Sequence, residues 1–244
     1  MKKTVLFAGK EYPAGSALAS AAVNHNRNVV ITVPAMVDEI KDSLETAGIT
    51  AATWNKSSSV SARSVILHAE NAYQHVDEAI LNFDTSWFAP NFKDMTPEIC
   101  SKAIDSMISS YLYLTMEVIS RFSKTEGGTI VFMLKTAPGH ADMVNSTSIK
   151  SENSNFPVGI LPSTAESAFK ALAESIAAKY AEKNGIKVFL VKADHDTPDS
   201  HFAGWMFEYL DAIYVAKAKN DPRHAIQWVK VGSKPQIGFS LFRK

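Results

Sequence analysis

Glu166 and Lys170 lie one helical turn apart in TAESAFKALAE, Thr164 to Glu174, a carboxylate and an ammonium close enough to share a proton-transfer site. A proton donor is useful when its pKa lies near the working pH. A free glutamate titrates near 4.3, so its protonated form is about 3.7 kcal/mol uphill at pH 7. A neighbouring cation deepens that deficit by favouring the carboxylate. Glu166 is therefore a poor acid unless an apolar pocket raises its pKa, although the carboxylate could serve as a base in proton abstraction or dehydration. The plain alternative is an ordinary helical ion pair, Glu preceding Lys, contributing about 0.2–0.5 kcal/mol on a surface.

Other reactive residue types are sparser. The turn ADHDTPDSH (193–201) gathers Asp194, His195, Asp196, Asp199 and His201, types that can hold a divalent ion. They lack the spacing of a known metal motif, and Asp, Pro and Ser are ordinary turn formers. His68 and His75 could share a helix face, but no third ligand accompanies them. No metal site is expected. There is no GxSxG elbow and no Walker loop, and no histidine is placed by sequence to activate Ser163.

A different chemistry is suggested by AGKEYPAGSALA (8–19), which follows an apolar run and opens a helical pattern. Glycines at a strand-to-helix turn let backbone N–H groups and the positive helix end meet a pyrophosphate. Gly9 and Gly15 have that placement, and Lys10 and Tyr12 lie between them as candidate cofactor contacts. Pro13 stands where a third glycine would help, without an N–H to donate. A charged residue ending the second strand would hold the adenosine ribose or its phosphate, yet VVITVPAM offers Val33 and Pro34.

The elements that must carry these residues alternate. Apolar runs at 3–8, 28–33, 49–54, 78–83, 129–134 and 186–193 read as strands buried on both faces, with a further edge strand at 236–242. Helical patterns cover 14–25, 35–47, 58–74, 97–123, 162–183 and 201–219. In the fifth, Ala165, Phe169, Leu172, Ala173, Ile176, Ala177 and Tyr180 recur at three- and four-residue steps, one continuous apolar stripe. The stripe in 201–216 reads either as an apolar lid over a ligand or as packed core. Alternating strands and helices predict an α/β fold with a parallel sheet, in a single domain with an irregular insertion at 135–163. A loop of that length is a lid, a binding element or a surface insertion.

These elements, from Thr4 to about Thr197, resemble the short-chain dehydrogenase/reductase superfamily. AGKEYPAG stands at its glycine turn, DEAILNFD (77–84) at its strand ending in NNAG, and GGTIVFMLK (127–135) at its strand ending in the catalytic serine. ESAFKALAESIAAKYAEKNGIKV (166–188) stands at its active-site helix and sixth strand. The resemblance implies a Rossmann-like doubly wound parallel sheet of about seven strands with helices on both faces. It also implies NAD or NADP over the C-terminal strand ends, and a homodimer or homotetramer built through helices 97–123 and 162–183. Lys170 matches the family lysine. Glu166 occupies the tyrosine position, Lys135 (or Leu134) the serine position and roughly Met107 the asparagine position, and Asn82 alone survives of NNAG. The candidate catalytic set is thus Lys170, Glu166, Lys135 and Asn82, and the candidate cofactor set is Gly9, Gly15, Lys10, Tyr12, Asn82 and Lys170. The expectation is a divergent member without ordinary hydride transfer, binding a small-molecule ligand or a partner protein through the inherited cleft, with NAD or NADP or no cofactor left open. An active NAD(P)-dependent oxidoreductase, or a non-redox enzyme reusing the cleft, is the alternative.

Bulk composition is in keeping. In 244 residues, 25 basic and 25 acidic side chains cancel, which points to neither nucleic acid nor an anionic membrane as partner. The single Cys100 rules out an intramolecular disulfide and suits a reducing compartment. MKKTVLFAGKEYP has too short an apolar run for a secretory leader and reads as a first strand, so a cytoplasmic location is expected.

Overall fold

The first six apolar runs are strands to within a residue or two: β1 (Lys3–Ala8), β2 (Arg27–Val33), β3 (Ile49–Thr53), β4 (Glu78–Asp84), β5 (Gly128–Lys135) and β6 (Ile186–Ala193). The computed structural model describes residues 2–92, 96–136, 159–180, 185–215 and 226–235. The expected edge strand at 236–242 and most of the 135–163 insertion lie outside these residues. A three-residue β7 (Trp228–Lys230), too short to show periodicity in the sequence, pairs with β6 instead. The described strands form one sheet in the order β3-β2-β1-β4-β5-β6-β7, and every pairing is parallel.

Successive side chains of a strand point to opposite faces, so a continuous apolar run fills two cores at once. Val5 and Phe7 of β1 join one cluster, with Leu18 and Ala22 of α1 (Ser16–Asn24) and Phe207 and Leu210 of Asp199–Val215. Leu6 and Ala8 join the other, with Val65 of α3 (Ser59–Tyr73) and the residues of two further helices. The helix of Asp38–Thr46 is α2, and the short helix of Thr85–Phe88, missed in the sequence, is α4. Because βαβ crossovers alternate across the sheet, the fold is the doubly wound α/β sandwich that the sequence predicts.

Two helical expectations need correction. The pattern 97–123 is interrupted: α5 (Pro97–Ile104) and α6 (Ser110–Phe122) are joined by a π turn at Asp105–Ser109, with Met107 buried inside it. The wider turn inserts one residue into the helix and rotates the face that follows, bringing Tyr111, Leu114 and Val118 into the core. The aromatic stripe of 201–216 lies on α8 (Asp199–Val215), where Phe202, Met206, Phe207 and Leu210 are all buried against the sheet and α1. It is core, so the lid reading of that stripe is set aside. α7 (Ile160–Tyr180) buries its predicted stripe, and Phe169 meets the rings of Phe83, Tyr111 and Phe132 at 5.1, 5.1 and 5.7 Å.

At the N-terminal end of the sheet, Arg27 of β2 reaches Glu78 of β4 at 3.1 Å and Asp211 of α8 at 2.6 Å. Glu78 is fully buried and Arg27 nearly so. Burial would lower the Arg27 pKa, but its bonds to Asp211 and Glu78 outweigh that and keep it above its ordinary value. Removing one partner leaves an uncompensated buried charge, so Glu78→Gln is expected to lose about 3–5 kcal/mol in urea denaturation. Asp211, more exposed, should matter less.

Candidate functional site

The C-terminal strand ends, where ligands bind in an open α/β sheet, begin with the glycine turn after β1. Gly9 has φ +115°, and a Cβ there would stand 1.9 Å from the Asn82 carbonyl oxygen of β4. A Cβ on Gly15 would stand 2.2 Å from the Lys10 carbonyl oxygen. Both glycines therefore serve close packing of the turn. The turn folds back on itself: Gly15 N–H donates to the Glu11 carbonyl at 2.9 Å and Ser16 N–H to the Pro13 carbonyl at 3.0 Å. Two backbone donors at the start of α1, those of Gly15 and Ser16, are thus engaged within the turn. Tyr12 turns toward β2 and α2, its N–H on the Thr32 carbonyl at 3.0 Å and its hydroxyl 2.5 Å from Ser43 Oγ.

The lysine beside that turn enters a chain of ion pairs. Lys10 Nζ donates to Asp84 Oδ2 at 2.7 Å and to Asp199 Oδ2 at 2.6 Å, and Lys135 Nζ donates to Asp199 Oδ1 at 3.0 Å. Lys10, Asp84 and Lys135 stand at or just beyond the ends of β1, β4 and β5, while Asp199 opens α8, where the helix end also favours an anion. Asp84 has a second task, accepting the Trp87 N–H at 3.1 Å as the N-cap of α4. Burial would raise the Asp199 carboxyl, but hydrogen bonds from Lys10 and Lys135 prevail and hold it below the ordinary aspartate range. Burial would lower Lys10, and its bonds to Asp199 and Asp84 reverse that direction.

Glu166 is not on the surface. It is 8% exposed, with Oε2 accepting the Thr85 hydroxyl at 2.7 Å and Oε1 accepting from Lys170 Nζ at 2.5 Å. The i,i+4 pair read from the sequence exists, but the exposed-pair magnitude does not describe it, because its carboxylate is enclosed. Thr85 Oγ1 also lies 3.3 Å from the Lys135 carbonyl, joining the end of β5 to α7.

On the other side of the turn, Lys56 follows β3 and extends over the cleft. Its Nζ is 3.1 Å from Glu11 Oε2 and 3.5 Å from the Gly9 carbonyl. The rings of Trp54, Trp87 and Phe88 lie 5.4, 5.1 and 5.5 Å from it. Tyr111, fully buried, donates to the Asn82 carbonyl at 2.6 Å. Burial first, then Glu11 and Asp84, push its phenol well above the ordinary tyrosine range, so it holds its proton at neutral pH.

Of the candidate catalytic residues, Lys170 and Glu166 meet directly, Lys135 contributes its carbonyl to Thr85 and its ammonium to Asp199, and Asn82 is buried in β4. Of the candidate cofactor residues, Gly9, Gly15, Lys10 and Asn82 line the turn and its neighbour strand, while Tyr12 leaves it. Sequence reasoning missed Thr85, Lys56, Trp54, Trp87 and Tyr111. Asp84 was visible as the residue in the glycine place of NNAG, and Asp199 only as a member of an unlikely metal cluster. No group of three or more metal-ligating side chains occurs among the described residues.

No family model matches the sequence, and no curated protein does either. Solved structures do. A short chain dehydrogenase from Mycobacterium smegmatis superposes with a TM-score of 0.70 at 16% identity, over 95% of this chain and 92% of its own. The chain has the fold of a short-chain dehydrogenase/reductase. The NADH-dependent reductase A1-R′, responsible for alginate metabolism, superposes with a TM-score of 0.68 at 12% identity, over 94% and 95% of the two chains. Against that fold, the ion pairs of Lys10 and Lys135 occupy the strand ends that in such sheets face a ligand. No helix among the described residues is long and apolar enough to cross a membrane.

Two measurements check this site. Asp199 stays ionised in the folded protein to lower pH than in the unfolded chain. Its stabilising contribution is therefore complete above the ordinary value of 3.8 and is lost as pH falls below it. In thermal melts the gap between the wild type and Asp199→Asn should be constant near neutrality and close in acid. Lys170→Ala strips the buried Glu166 of its cation and is expected to lose about 1.5–3 kcal/mol in urea denaturation, several times the value of an exposed pair.

Proposed function

We propose that the chain is a divergent short-chain dehydrogenase/reductase-like protein that does not carry out ordinary hydride transfer and that binds a ligand or a partner protein through the inherited cleft. The observation that carries this reading is the charge balance of the cleft. Lys10, Lys56, Lys135 and Lys170 each lie within ion-pair distance of one or more of Glu11, Asp84, Glu166 and Asp199. A dinucleotide brings a pyrophosphate that needs positive charge and backbone donors, and here the lysines are committed to the protein's own carboxylates and the Gly15 and Ser16 N–H groups to carbonyls of the turn.

Magnitudes decide between the readings. Micromolar binding corresponds to about −8 kcal/mol. Parting a buried, hydrogen-bonded charge pair costs about 3–5 kcal/mol, so opening two such pairs would cancel most of that affinity. The proton-relay position is equally altered. Glu166, already bonded to Thr85 and Lys170, is an acceptor where the family reaction needs a donor. Exposed Leu112, Tyr113 and Met116 on α6 support a homodimer or homotetramer through that helix.

Millimolar NADH or NADPH is expected to leave the melting temperature unchanged, since a ligand preferring the folded state raises stability by RT ln(1 + [L]/Kd). A shift with either cofactor, together with carbonyl reduction abolished by Lys170→Ala, would establish the oxidoreductase alternative. Glu166→Tyr without cofactor binding should remain inactive.

A further inference from the structure

We infer that Trp54, Trp87, Phe88 and Glu11 form a binding cage for an alkylammonium group, and that Lys56 occupies it as an intramolecular stand-in for that ligand. The inference gives a chemical class to the ligand-binding reading above and rests on it. Three aromatic rings at 5.1–5.5 Å from one nitrogen, with a carboxylate at 3.1 Å and a backbone carbonyl at 3.5 Å, is an arrangement that selects a cation with an apolar stem. Ring faces attract a cation through their quadrupoles, more strongly where water is excluded. Water is largely excluded here: Trp54 and Phe88 are each 2% exposed, and Glu11 and Lys56 are nearly covered.

The contributing residues come from separate places in the chain. Glu11 lies in the turn after β1, Trp54 ends the β3 segment, and Trp87 and Phe88 form α4. They converge at the strand ends, with Trp54 and Phe88 at the margin of the core on that side of the sheet and Trp87 packed against it. Lys56 sits there at a disadvantage. Burial outweighs its bond to Glu11 and draws its pKa below the ordinary lysine value, so the primary ammonium is incompletely compensated for the water it has lost. Trp54 adds a second unsettled group, its buried indole N–H having no hydrogen-bond partner among the described residues. A methylated alkylammonium, which is more weakly hydrated than a primary one, meets less of the desolvation penalty and fits the same rings.

Lys56→Ala removes the stem and ammonium beyond Cβ, leaving a space with the shape of n-propylammonium. Added n-propylammonium is expected to raise the melting temperature of Lys56→Ala and to quench its tryptophan fluorescence saturably, with 1-propanol giving neither effect. Glu11→Gln in the same background should weaken the response at least tenfold. Tetramethylammonium should bind wild-type protein too, but only at higher concentration, because the tethered lysine competes at an effective concentration on the order of millimolar or above. Equal responses to propylammonium and propanol would overturn the inference, since the site would then be an apolar cavity. So would no fluorescence response of the wild type to tetramethylammonium at any concentration that leaves it folded, since Lys56 would then be a permanent structural member. Should Lys56→Ala fail to fold, Lys56→Met supplies an apolar stem without the charge, and the wild-type titration stands independently. Dinucleotide binding is read in separate melts, so a cage that fails leaves the charge-balance reading intact and the two failures are told apart.

Discussion

The ammonium of Lys10 between two carboxylates is the interaction on which the character of this cleft depends. It joins the turn after β1 to the end of β4 through Asp84 and to the start of α8 through Asp199, and Asp199 extends the contact to Lys135 at the end of β5. Three strand ends and a helix are thereby tied at the one edge of the sheet where a doubly wound fold ordinarily leaves a crevice. Charges of alternating sign at these distances are mutually satisfied, and parting one such enclosed pair costs about 3–5 kcal/mol.

The rest of the site follows from that closure. With Lys10 drawn toward Asp84 and Asp199, the turn Lys10–Gly15 is free to close on itself through its own carbonyls, and Tyr12 is directed to Ser43. Gly9 and Gly15 are required for close approach to Asn82 and Lys10. On α7, Glu166 accepts both from Lys170 one turn on and from the Thr85 hydroxyl. Sheet and helices are held by two apolar cores and by the Arg27–Glu78 pair at the opposite end, and only the margin of one core, at Trp54, Phe88 and Tyr111, reaches the cleft. A fold by itself does not fix a chemistry.

Lys56 and Lys10 illustrate two ways of enclosing a cation. Lys10 has two carboxylates at hydrogen-bond distance and its charge is reinforced, whereas Lys56 has one carboxylate and three rings and its charge is weakened. The difference is one of compensation: rings attract a cation but accept no strong hydrogen bonds from it. A primary ammonium loses more in that environment than an ion with few hydrogen bonds to forfeit.

Several features of this protein were legible in its sequence, because they depend on local periodicity. Apolar runs of six to eight residues between turn residues read as strands, and the stripe from Ala165 to Tyr180 reads as a helix with one buried side. The parallel sheet and the Glu166–Lys170 pair follow from that, as does the weakness of the glycine turn once Pro13, Val33 and Pro34 are read. The π turn at Asp105–Ser109 was not legible, since an inserted residue leaves the apolar pattern nearly unchanged, and neither was β7. The burial of Glu166, the partners of Lys10 and the surroundings of Lys56 were decided only in three dimensions. Lys10 and Asp199 are 189 residues apart in the chain, and no rule of spacing relates a turn after the first strand to a helix after the sixth. Local pattern determines which segments pair and pack, but which charges meet at the strand ends is set by the order in which the sheet assembles them.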